Sequence, residues 1–409
     1  MSAARRPPTE RAGDPAVPAR EPGSPPRVLL ATLEAGGGHT TAARAWGARF
    51  AAMGAEIEVV DTVAELGPRR LDRTAKAVWR AALRVPRAVA AAQSVTTHVL
   101  PAALTQRVQG ISVFDHGRRL AAHVGARGFD LVLATHMFPL QAMAIARRRG
   151  WTDVPIVGFN PDTFDTHALF AVRGSDAMCV PTEEAARRLR RLGVPQREIR
   201  VTGYPIDVRF LRPAPPPPEA RTALGLPPER PLVLVSLGAE GVGPRTEDWV
   251  EALIDTGVRA TIAVLTARHR TLKRALDARA GELTGPTRLL PLGFRDDVPL
   301  WLAAADIVVA KAGPASTLEA LAVGAPIGHV YVAGGHERLV VDFALSRGVG
   351  AWWPQPRAGA REVAGWLADA PALAAWRARV AAVELPLSTD EDVAGVLAMA
   401  RRRRGRGPW

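Results

Sequence analysis

The sequence is poor in several features, and each scarcity excludes a class of protein. Its 409 residues include one cysteine, Cys179, which excludes a disulfide framework, an iron–sulfur cluster and a thiolate-built zinc site. The longest apolar stretch, residues 131–146, is interrupted by polar residues and falls short of the roughly 20 residues of a transmembrane helix. The first residues lack the apolar core of a signal peptide. No Walker signature is present, which argues against a nucleoside triphosphatase.

Lysine and aromatic residues are also scarce, yet the chain is strongly basic. Arginine supplies nearly all of the 53 Lys+Arg residues, which face 40 Asp+Glu and leave a formal net charge of +13. With 47% hydrophobic residues the chain can bury a sizeable core, and its length predicts two domains. Such a protein can lie on an anionic surface. Without an aromatic platform, zinc knuckle or helix-turn-helix signature, a nucleic acid is not expected as its substrate.

Short apolar runs of strand character alternate with helical stretches in both halves of the chain. The predicted strands are residues 27–32, 57–61, 130–135, 155–159, 177–180 and 199–202, and then 232–236, 261–265, 288–292, 307–310, 327–332 and 350–353. Apolar strands separated by helices are typical of parallel sheets that are covered on both faces. The sequence therefore predicts an α/β protein with two Rossmann-like, doubly wound domains that face each other across a cleft.

Composition also predicts where the chain divides. Prolines and mixed charges predict a disordered leader over residues 1–26. The predicted N-terminal domain covers residues 27–211, a proline-rich linker covers 212–230, and the C-terminal domain covers 231–370. Residues 371–409 are expected to form a helix that packs back across the hinge and ends in a basic tail.

Three glycine-rich turns each follow a predicted strand. They are residues 36–39, with His39 at the mouth of the turn, 236–243 and 311–317. Glycines allow close approach of the backbone to a ligand, and the N-terminus of the following helix can bind an anion. Ser316 and Thr317 are predicted to cap the helix that follows the third of these turns. Glu319 either accepts hydrogen bonds from a ribose diol or only stabilises the helix dipole, and His39 either faces a ligand or caps its helix.

Residues 72–93 combine a cationic helical face with an apolar one. Arg73, Lys76, Arg80 and Arg84 are spaced three or four residues apart, which places them on one face of a helix. This pattern predicts an element that lies in an anionic lipid interface, although an ordinary surface helix has a similar appearance. The arginine-rich tail at 401–406 forms a second cationic cluster.

Together, these motifs resemble the glycosyltransferases of family 28 with the GT-B fold, and most of all the monogalactosyldiacylglycerol synthases and processive diacylglycerol glucosyltransferases. The matching stretches are 36–39, 178–184, 201–206, 238–244, 292–294 and 311–326, in the family's order. The resemblance implies inverting transfer of a hexose from a UDP-sugar to diacylglycerol or a related lipid, without a metal or cofactor. It also implies an acceptor- and membrane-side N-terminal domain, a nucleotide-sugar-binding C-terminal domain, and a cytoplasmic, peripheral location on the inner face of the cell membrane.

The same resemblance implies roles for individual residues. His39 would act as general base or orient one, and Asp162 or Asp165 either assists it or is only a loop carboxylate. The residues implied to bind the UDP-sugar are Gly238, Gly241, Gly293, Phe294, Lys311, Gly313, Pro314, Ser316, Thr317, Glu319, His336 and Glu337. Those implied on the acceptor side are Gly37, Gly38, His136 and His167, and those implied at the membrane are Arg73, Lys76, Trp79, Arg80, Leu83 and Arg84. His336 and Val340 replace a glutamine and an asparagine that face the sugar in the family, so the hexose is left open.

Three other functions fit parts of the same pattern. A UDP-sugar 2-epimerase has the same two-domain fold and nucleotide sugar but needs no lipid. A glycosyltransferase within this class could instead use a polyprenyl-linked or secondary-metabolite acceptor. A degenerate protein that binds lipid or nucleotide without turnover is the third alternative, because the glutamine and asparagine positions are altered.

Overall fold

The computed structural model describes residues 24–34, 37–67, 102–237 and 245–404. The predicted leader lies almost entirely outside these ranges, as do the whole of the 72–93 segment and the second glycine-rich turn from Gly238 to Pro244. No helix in the described part of the chain is long and apolar enough to cross a membrane.

The first structural unit is a six-stranded sheet flanked by helices. Its strands are β1 (Arg27–Thr32), β2 (Glu56–Asp61), β3 (Leu131–Ala134), β4 (Ile156–Phe159), β5 (Ala177–Val180) and β6 (Ile199–Val201). Its helices are α1 (Gly38–Ala52), α2 (Thr62–Leu66), α3 (Ala102–Arg127), α4 (Met137–Arg148) and α5 (Glu183–Arg191), with a 3₁₀ turn at Ala168–Phe170. All paired strands are parallel, in the order β2-β1-β3-β4-β5-β6.

The second unit repeats this architecture. Its strands are β7 (Leu232–Ser236), β8 (Thr261–Leu265), β9 (Arg288–Leu292), β10 (Ile307–Lys311), β11 (Ile327–Tyr331) and β12 (Gly350–Trp352). Its helices are α6 (Pro217–Ala223), α7 (Thr246–Asp255), α8 (Arg270–Glu282), α9 (Val298–Ala304), α10 (Pro314–Ala322), α11 (Gly335–Ser346), α12 (Pro356–Ala368) and α13 (Ala370–Ala382). The sheet order is β12-β11-β10-β7-β8-β9, again parallel.

The predicted fold class is confirmed, and every predicted strand end lies within one residue of the observed one. Strands β3, β4 and β5 are buried along their whole length, and β1 is buried after Arg27; they contribute completely buried residues such as Leu29, Val132 and Val157. Parallel strands covered on both faces need such apolar runs, which is why the sequence locates them so well. The strand order reverses direction after β2 in the first sheet and after β9 in the second, which places ligand sites at the carboxyl edge of the central strands β1 and β3, and β7 and β10.

The proline-rich segment contains a helix where composition predicts a linker. Helix α6 begins at Pro217, and prolines at the first helical positions are tolerated because their missing N–H has no helical partner to lose. Arg221 in this helix is buried and pairs with Asp306 at 2.8 Å, and its guanidinium also donates to the carbonyls of Ala304 and Pro228. This segment is therefore fixed on the second unit. The domain limits drawn from composition stay predictions.

The end of the chain returns to the first unit. After α13, the final helix α14 (Asp390–Arg404) lies near α1, where the buried Arg49 pairs with Asp390 at 2.7 Å and donates to the Ser388 carbonyl at 2.6 Å. On the way, the backbone bonds to the segment that follows β6: the Tyr204 N–H donates to the Pro386 carbonyl at 2.7 Å. Gly203 allows this approach, because its φ is +66° and an added Cβ would lie 2.3 Å from the backbone of Leu387.

Candidate functional site

His39 lies at the start of α1, at the carboxyl edge of the first sheet. The turn into this helix ends at Gly37, whose φ of +82° favours glycine. The His39 Nδ1 lies 2.7 Å from the carbonyl oxygen of Thr135, the residue that follows β3. Because a carbonyl can only accept, Nδ1 carries the proton and Nε2 keeps its lone pair. The neutral ring is therefore in the tautomer that can accept a proton at Nε2.

The environment of His39 keeps the ring neutral near pH 7. Burial lowers its pKa below the usual 6.5, and this effect outweighs the bond to Thr135 and the charge of Asp162, which both raise the pKa. A nearby charge on His336 lowers the pKa further. Since His336 belongs to the second unit and Asp162 to the first, His39 faces groups from both sides of the cleft.

Two further histidines of the first unit have fixed rings. His136 caps α4, where its Nδ1 accepts the Phe138 N–H at 3.0 Å, and its ring centroid lies 4.5 Å from that of His39. Burial lowers the pKa of His136 well below 6.5. His167 caps the 3₁₀ turn, with Nδ1 accepting the Leu169 N–H at 3.2 Å. His136 is therefore part of the His39 site, whereas the acceptor-side role of His167 stays a prediction beside its capping bond.

The two candidate carboxylates differ in what they face. Asp162 lies in a turn in which its N–H donates to the Asn160 side chain at 3.2 Å, and its Oδ1 lies 3.7 Å from the Nε2 of His336. Asp165 instead lies 3.8 Å from Arg188 of α5. Asp162 is therefore the carboxylate that faces the cleft and the opposite unit, and Asp165 is occupied within its own unit.

In the second unit, α10 begins without a side-chain cap. Its N-cap is Gly313, followed by Pro314, and the Ser316 hydroxyl donates back to the Gly313 carbonyl at 3.1 Å. The prediction that Ser316 and Thr317 cap this helix is wrong, because with the helix starting at Pro314 both already lie inside it. Thr317 is fully buried, with its hydroxyl 2.9 Å from the Nε2 of His329. The turn from Gly313 to Ser316 is only partly buried, so the backbone N–H groups at this helix start can meet an anion.

Glu319 lies on α10 as a partly buried carboxyl. Its pKa is raised to about 7, mainly by burial and also by the charge of Asp207, with Arg209 acting in the opposite direction. Both neighbours lie after β6, where Arg209 pairs with Asp207 at 2.9 Å and donates to the Asp296 carbonyl at 2.7 Å. Among the described residues no hydrogen-bond donor to the Glu319 carboxyl is recorded. Such a group has acceptor capacity to offer a ligand.

Lys311 and Glu337, both implied to bind the UDP-sugar, are paired with each other. The Lys311 Nζ lies 2.6 Å from the Glu337 Oε1, and the other oxygen of this buried carboxylate accepts the N–H of Ala333. The charge of Lys311 is thereby compensated within the protein. The pair fixes the turn before α11, the helix that carries His336 in its first turn.

Phe294 is the most exposed large hydrophobic residue among those described. It follows β9 and Gly293 at the carboxyl edge of the second sheet, and 58% of its surface is accessible. The guanidinium of Arg268 lies 5.1 Å from the centre of its ring. An aromatic ring held in this way offers a planar surface to a flat ligand.

Several predicted site residues lie outside the described ranges, namely Gly238, Gly241, Arg73, Lys76, Trp79, Arg80, Leu83 and Arg84. The structure also adds residues that sequence reasoning missed: Thr135, Asp207, Arg209 and Arg268. Of these four residues, only Thr135 could have been found from the sequence, since it ends a predicted strand and precedes His136. The other three act through contacts between distant parts of the chain.

The two facing units, each with its ligand-side groups at the carboxyl edge of a parallel sheet, define the GT-B fold. Comparison with solved structures supports this assignment. MurG of Acinetobacter baumannii superposes with a TM-score of 0.60 at 13% identity, over 92% of this chain and 100% of that one. A putative UDP-N-acetylglucosamine 2-epimerase of Listeria monocytogenes gives 0.55 at 13% identity, over 94% of this chain and 98% of that one. At such identities the likeness shows the fold alone.

Sequence comparison then gives more specific relatives within the proteins of this fold. Residues 39–206 match the family described as monogalactosyldiacylglycerol (MGDG) synthase. A probable monogalactosyldiacylglycerol synthase 2 of Oryza sativa subsp. japonica is 31% identical, over 52% of this chain and 46% of that protein. The Spinacia oleracea synthase is 27% identical over 86% of this chain and 68% of its own length. A processive diacylglycerol beta-glucosyltransferase of Staphylococcus carnosus is 27% identical over 54% of this chain and 55% of its own.

The resemblance to these glycosyltransferases is thus confirmed. The chain spans about half the length of the curated plant relatives that share 31% identity with it. The matched family region holds His39, His136, Asp162 and His167, which are all on the side of the first unit.

Proposed function

We propose that this protein is an inverting glycosyltransferase that transfers a hexose from a UDP-sugar to the hydroxyl of diacylglycerol or a related lipid. The observation that carries the proposal is the hydrogen bond from His39 Nδ1 to Thr135, which leaves Nε2 as a proton acceptor at the cleft. The similarity to synthases and glucosyltransferases that act on diacylglycerol, by their names, supports the choice of acceptor.

In the proposed reaction His39 Nε2 takes the proton of the acceptor hydroxyl as its oxygen attacks the anomeric carbon. The bond between that carbon and the β-phosphate oxygen breaks, and UDP leaves on the opposite face, so a single displacement inverts the anomeric centre. The lowered pKa of His39 makes the neutral base available at pH 7, and the charge of Asp162 stabilises the imidazolium that forms.

The donor would occupy the second unit. The free N–H groups at the start of α10, around Gly313 and Pro314, suit the diphosphate and supply the electrostatic stabilisation that the leaving group requires. Glu319 suits the two ribose hydroxyls, because an unpaired carboxylate can accept from both. Phe294 suits the uracil as a stacking partner. Gly238 and Gly241 complete the proposed donor site from the sequence pattern.

We propose that the protein acts at the cytoplasmic surface of an anionic membrane. This part of the proposal rests on the three- and four-residue spacing of cationic residues within 72–93, the basic tail and the net charge of +13. Replacing Arg73, Arg80 and Arg84 with glutamine should lower binding to phosphatidylglycerol vesicles, measured by co-sedimentation at low salt. Binding that equals the wild type would place the membrane contact elsewhere.

One experiment separates the proposed function from its alternatives. The purified protein is incubated with labelled UDP-glucose, UDP-galactose and UDP-N-acetylglucosamine, with and without total lipid extract, and products are identified. A labelled glycolipid formed only with lipid supports the proposal. Conversion of the UDP-sugar without lipid favours an epimerase, which the shared fold allows. UDP binding without any product contradicts both enzymes, and activity restricted to polyprenyl or other acceptors corrects the acceptor.

A further inference from the structure

We propose that Thr135 is the positioning residue of His39, and that its backbone carbonyl takes the place next to the imidazole that a carboxylate holds in many catalytic pairs. The inference rests on the proposed function for its catalytic meaning. In structural terms, we infer that Thr135, the residue after β3, fixes the position and the tautomer of the His39 ring.

Two hydrogen bonds run in opposite directions between these residues. The ring Nδ1 of His39 donates to the Thr135 carbonyl at 2.7 Å, and the Thr135 hydroxyl donates to the His39 carbonyl at 3.0 Å. The first bond orients the ring, and the second ties the strand end to the first turn of α1. Thr135 is fully buried, so water does not compete for either bond.

The other charged or titratable groups around the ring are not placed to hold Nδ1. His136 contributes its ring, with centroids 4.5 Å apart, while its own Nδ1 is used in capping α4. Asp162 acts on His39 as a charge, and the group it contacts is His336 of the opposite unit, at 3.7 Å. Since a carbonyl can only accept, the Thr135 contact keeps the proton of the neutral ring on Nδ1 and leaves Nε2 as the atom that takes up a proton.

The chain offers a matched control. Thr32 ends the neighbouring strand β1 and is also buried, but no hydrogen-bond partner is recorded for its hydroxyl among the described residues. Thr135→Val and Thr32→Val therefore make the same change at adjacent strand ends, and only the first removes a bond to the His39 segment. The His39 carbonyl keeps its helical acceptor role in Thr135→Val, so the variant should fold.

The first test follows His39 by NMR in the free protein, with its signals assigned by their loss in His39→Gln. The wild type is expected to show a neutral ring protonated at Nδ1 and a pKa below 6.5. Thr135→Val should lower that pKa by roughly 0.5 unit, because a looser Nδ1–H bond supports the imidazolium less, and should mix the tautomers. Thr135→Ser should restore both properties, and Thr32→Val should match the wild type.

The second test measures the pH dependence of turnover with UDP-glucose and the lipid acceptor. Thr135→Val should lower kcat about 10-fold, with its acid limb displaced to lower pH and UDP affinity unchanged. A merely destabilised protein would lose activity without moving the limb. A neutral wild-type ring protonated at Nε2, or a Thr135→Val titration identical to that of Thr32→Val, would overturn the inference. The expected titrations in a protein that transfers no sugar would support it and count against the proposed function instead.

Discussion

The two walls of the cleft differ in the groups that they present to a ligand. On the first unit His39, His136 and His167 each use Nδ1 in a hydrogen bond to the backbone, so the rings are fixed before any ligand arrives. On the second unit the start of α10 has no side-chain cap and the Phe294 ring is largely exposed. The first wall therefore presents imidazoles held in place by the protein, whereas the second presents an uncapped helix start and an exposed aromatic ring.

This difference separates catalysis from binding in a testable way. Changes on the first wall should lower turnover and leave nucleotide affinity intact, because the groups there already have their protein partners. Changes on the second wall should lower nucleotide affinity, because the ligand itself supplies the missing partners.

Replacing His39 should have the largest effect. His39→Ala removes the proposed base, so kcat should fall roughly 10²–10⁴-fold while UDP affinity changes little, measured by steady-state kinetics and calorimetric titration. His269→Asn is a suitable control away from the site, because His269 caps α8 by accepting the Leu272 N–H at Nδ1 and asparagine preserves that cap. Undiminished turnover in His39→Ala would remove this residue from the mechanism.

Glu319→Gln should lower UDP affinity roughly 10-fold, because a charged acceptor is replaced by a neutral one. In the wild type the pKa of about 7 means that binding to the ionised form strengthens as the pH rises from 6 to 8. The difference between wild type and variant isolates this effect from the titration of UDP itself. An equal affinity for UDP in both proteins across that range would refute the ribose assignment.

The same substitution should stabilise the free protein at alkaline pH. The folded pKa of Glu319 lies above its ordinary 4.5, so between pH 4.5 and 7 the folded protein binds more protons than the unfolded chain. Its contribution to the free energy of unfolding therefore falls as the pH rises through this window. At pH 8 Glu319→Gln should raise the free energy of unfolding by roughly 1–3 kcal/mol, and at pH 4 the two proteins should unfold alike in denaturant titrations.

Phe294→Ala should weaken UDP binding by roughly 3–10-fold, the range expected for one lost aromatic contact. Because the ring is 58% exposed, the thermal midpoint should not move. Phe114→Ala is a matched control, since Phe114 is also an exposed phenylalanine with an arginine, Arg149, 5.1 Å from its ring centre. Equal UDP affinities for the two variants would exclude stacking on Phe294.

The smallest expected effect is the loss of the contact between Asp162 and His336 across the cleft. Asp162 and His336 lie 3.7 Å apart and are both partly exposed, so their coupling should be only about 0.5–1 kcal/mol. A double-mutant cycle of Asp162→Asn and His336→Gln on kcat/KM measures it. Strictly additive effects would show that Asp162 and His336 are not coupled, and that the two walls contribute to kcat/KM independently.

Local sequence predicts the scaffold well and the site less completely. The strands were predicted to within one residue because each is an apolar run bounded by polar or glycine residues. His39 and Glu319 become candidates because the ends of parallel strands and the first turns of the following helices are where α/β folds meet ligands, and their roles stay predictions. The pairing of Lys311 with Glu337 and of Thr317 with His329 joins residues 26 and 12 positions apart through tertiary packing, which no local pattern specifies.

The segments after β6 and after α13 both pass between the units, and they do so side by side. The Tyr204 N–H bonds to Pro386, and the Ser388 N–H bonds back to the Tyr204 carbonyl at 3.0 Å. The two connecting segments are therefore hydrogen-bonded to each other where they pass between the units. Because two adjacent connections restrict motion more than a single one does, we expect the units to move relative to each other by rotation about the line through these connections. The separation between His39 and the start of α10 would then vary along a single coordinate, with Gly203 at the pivot.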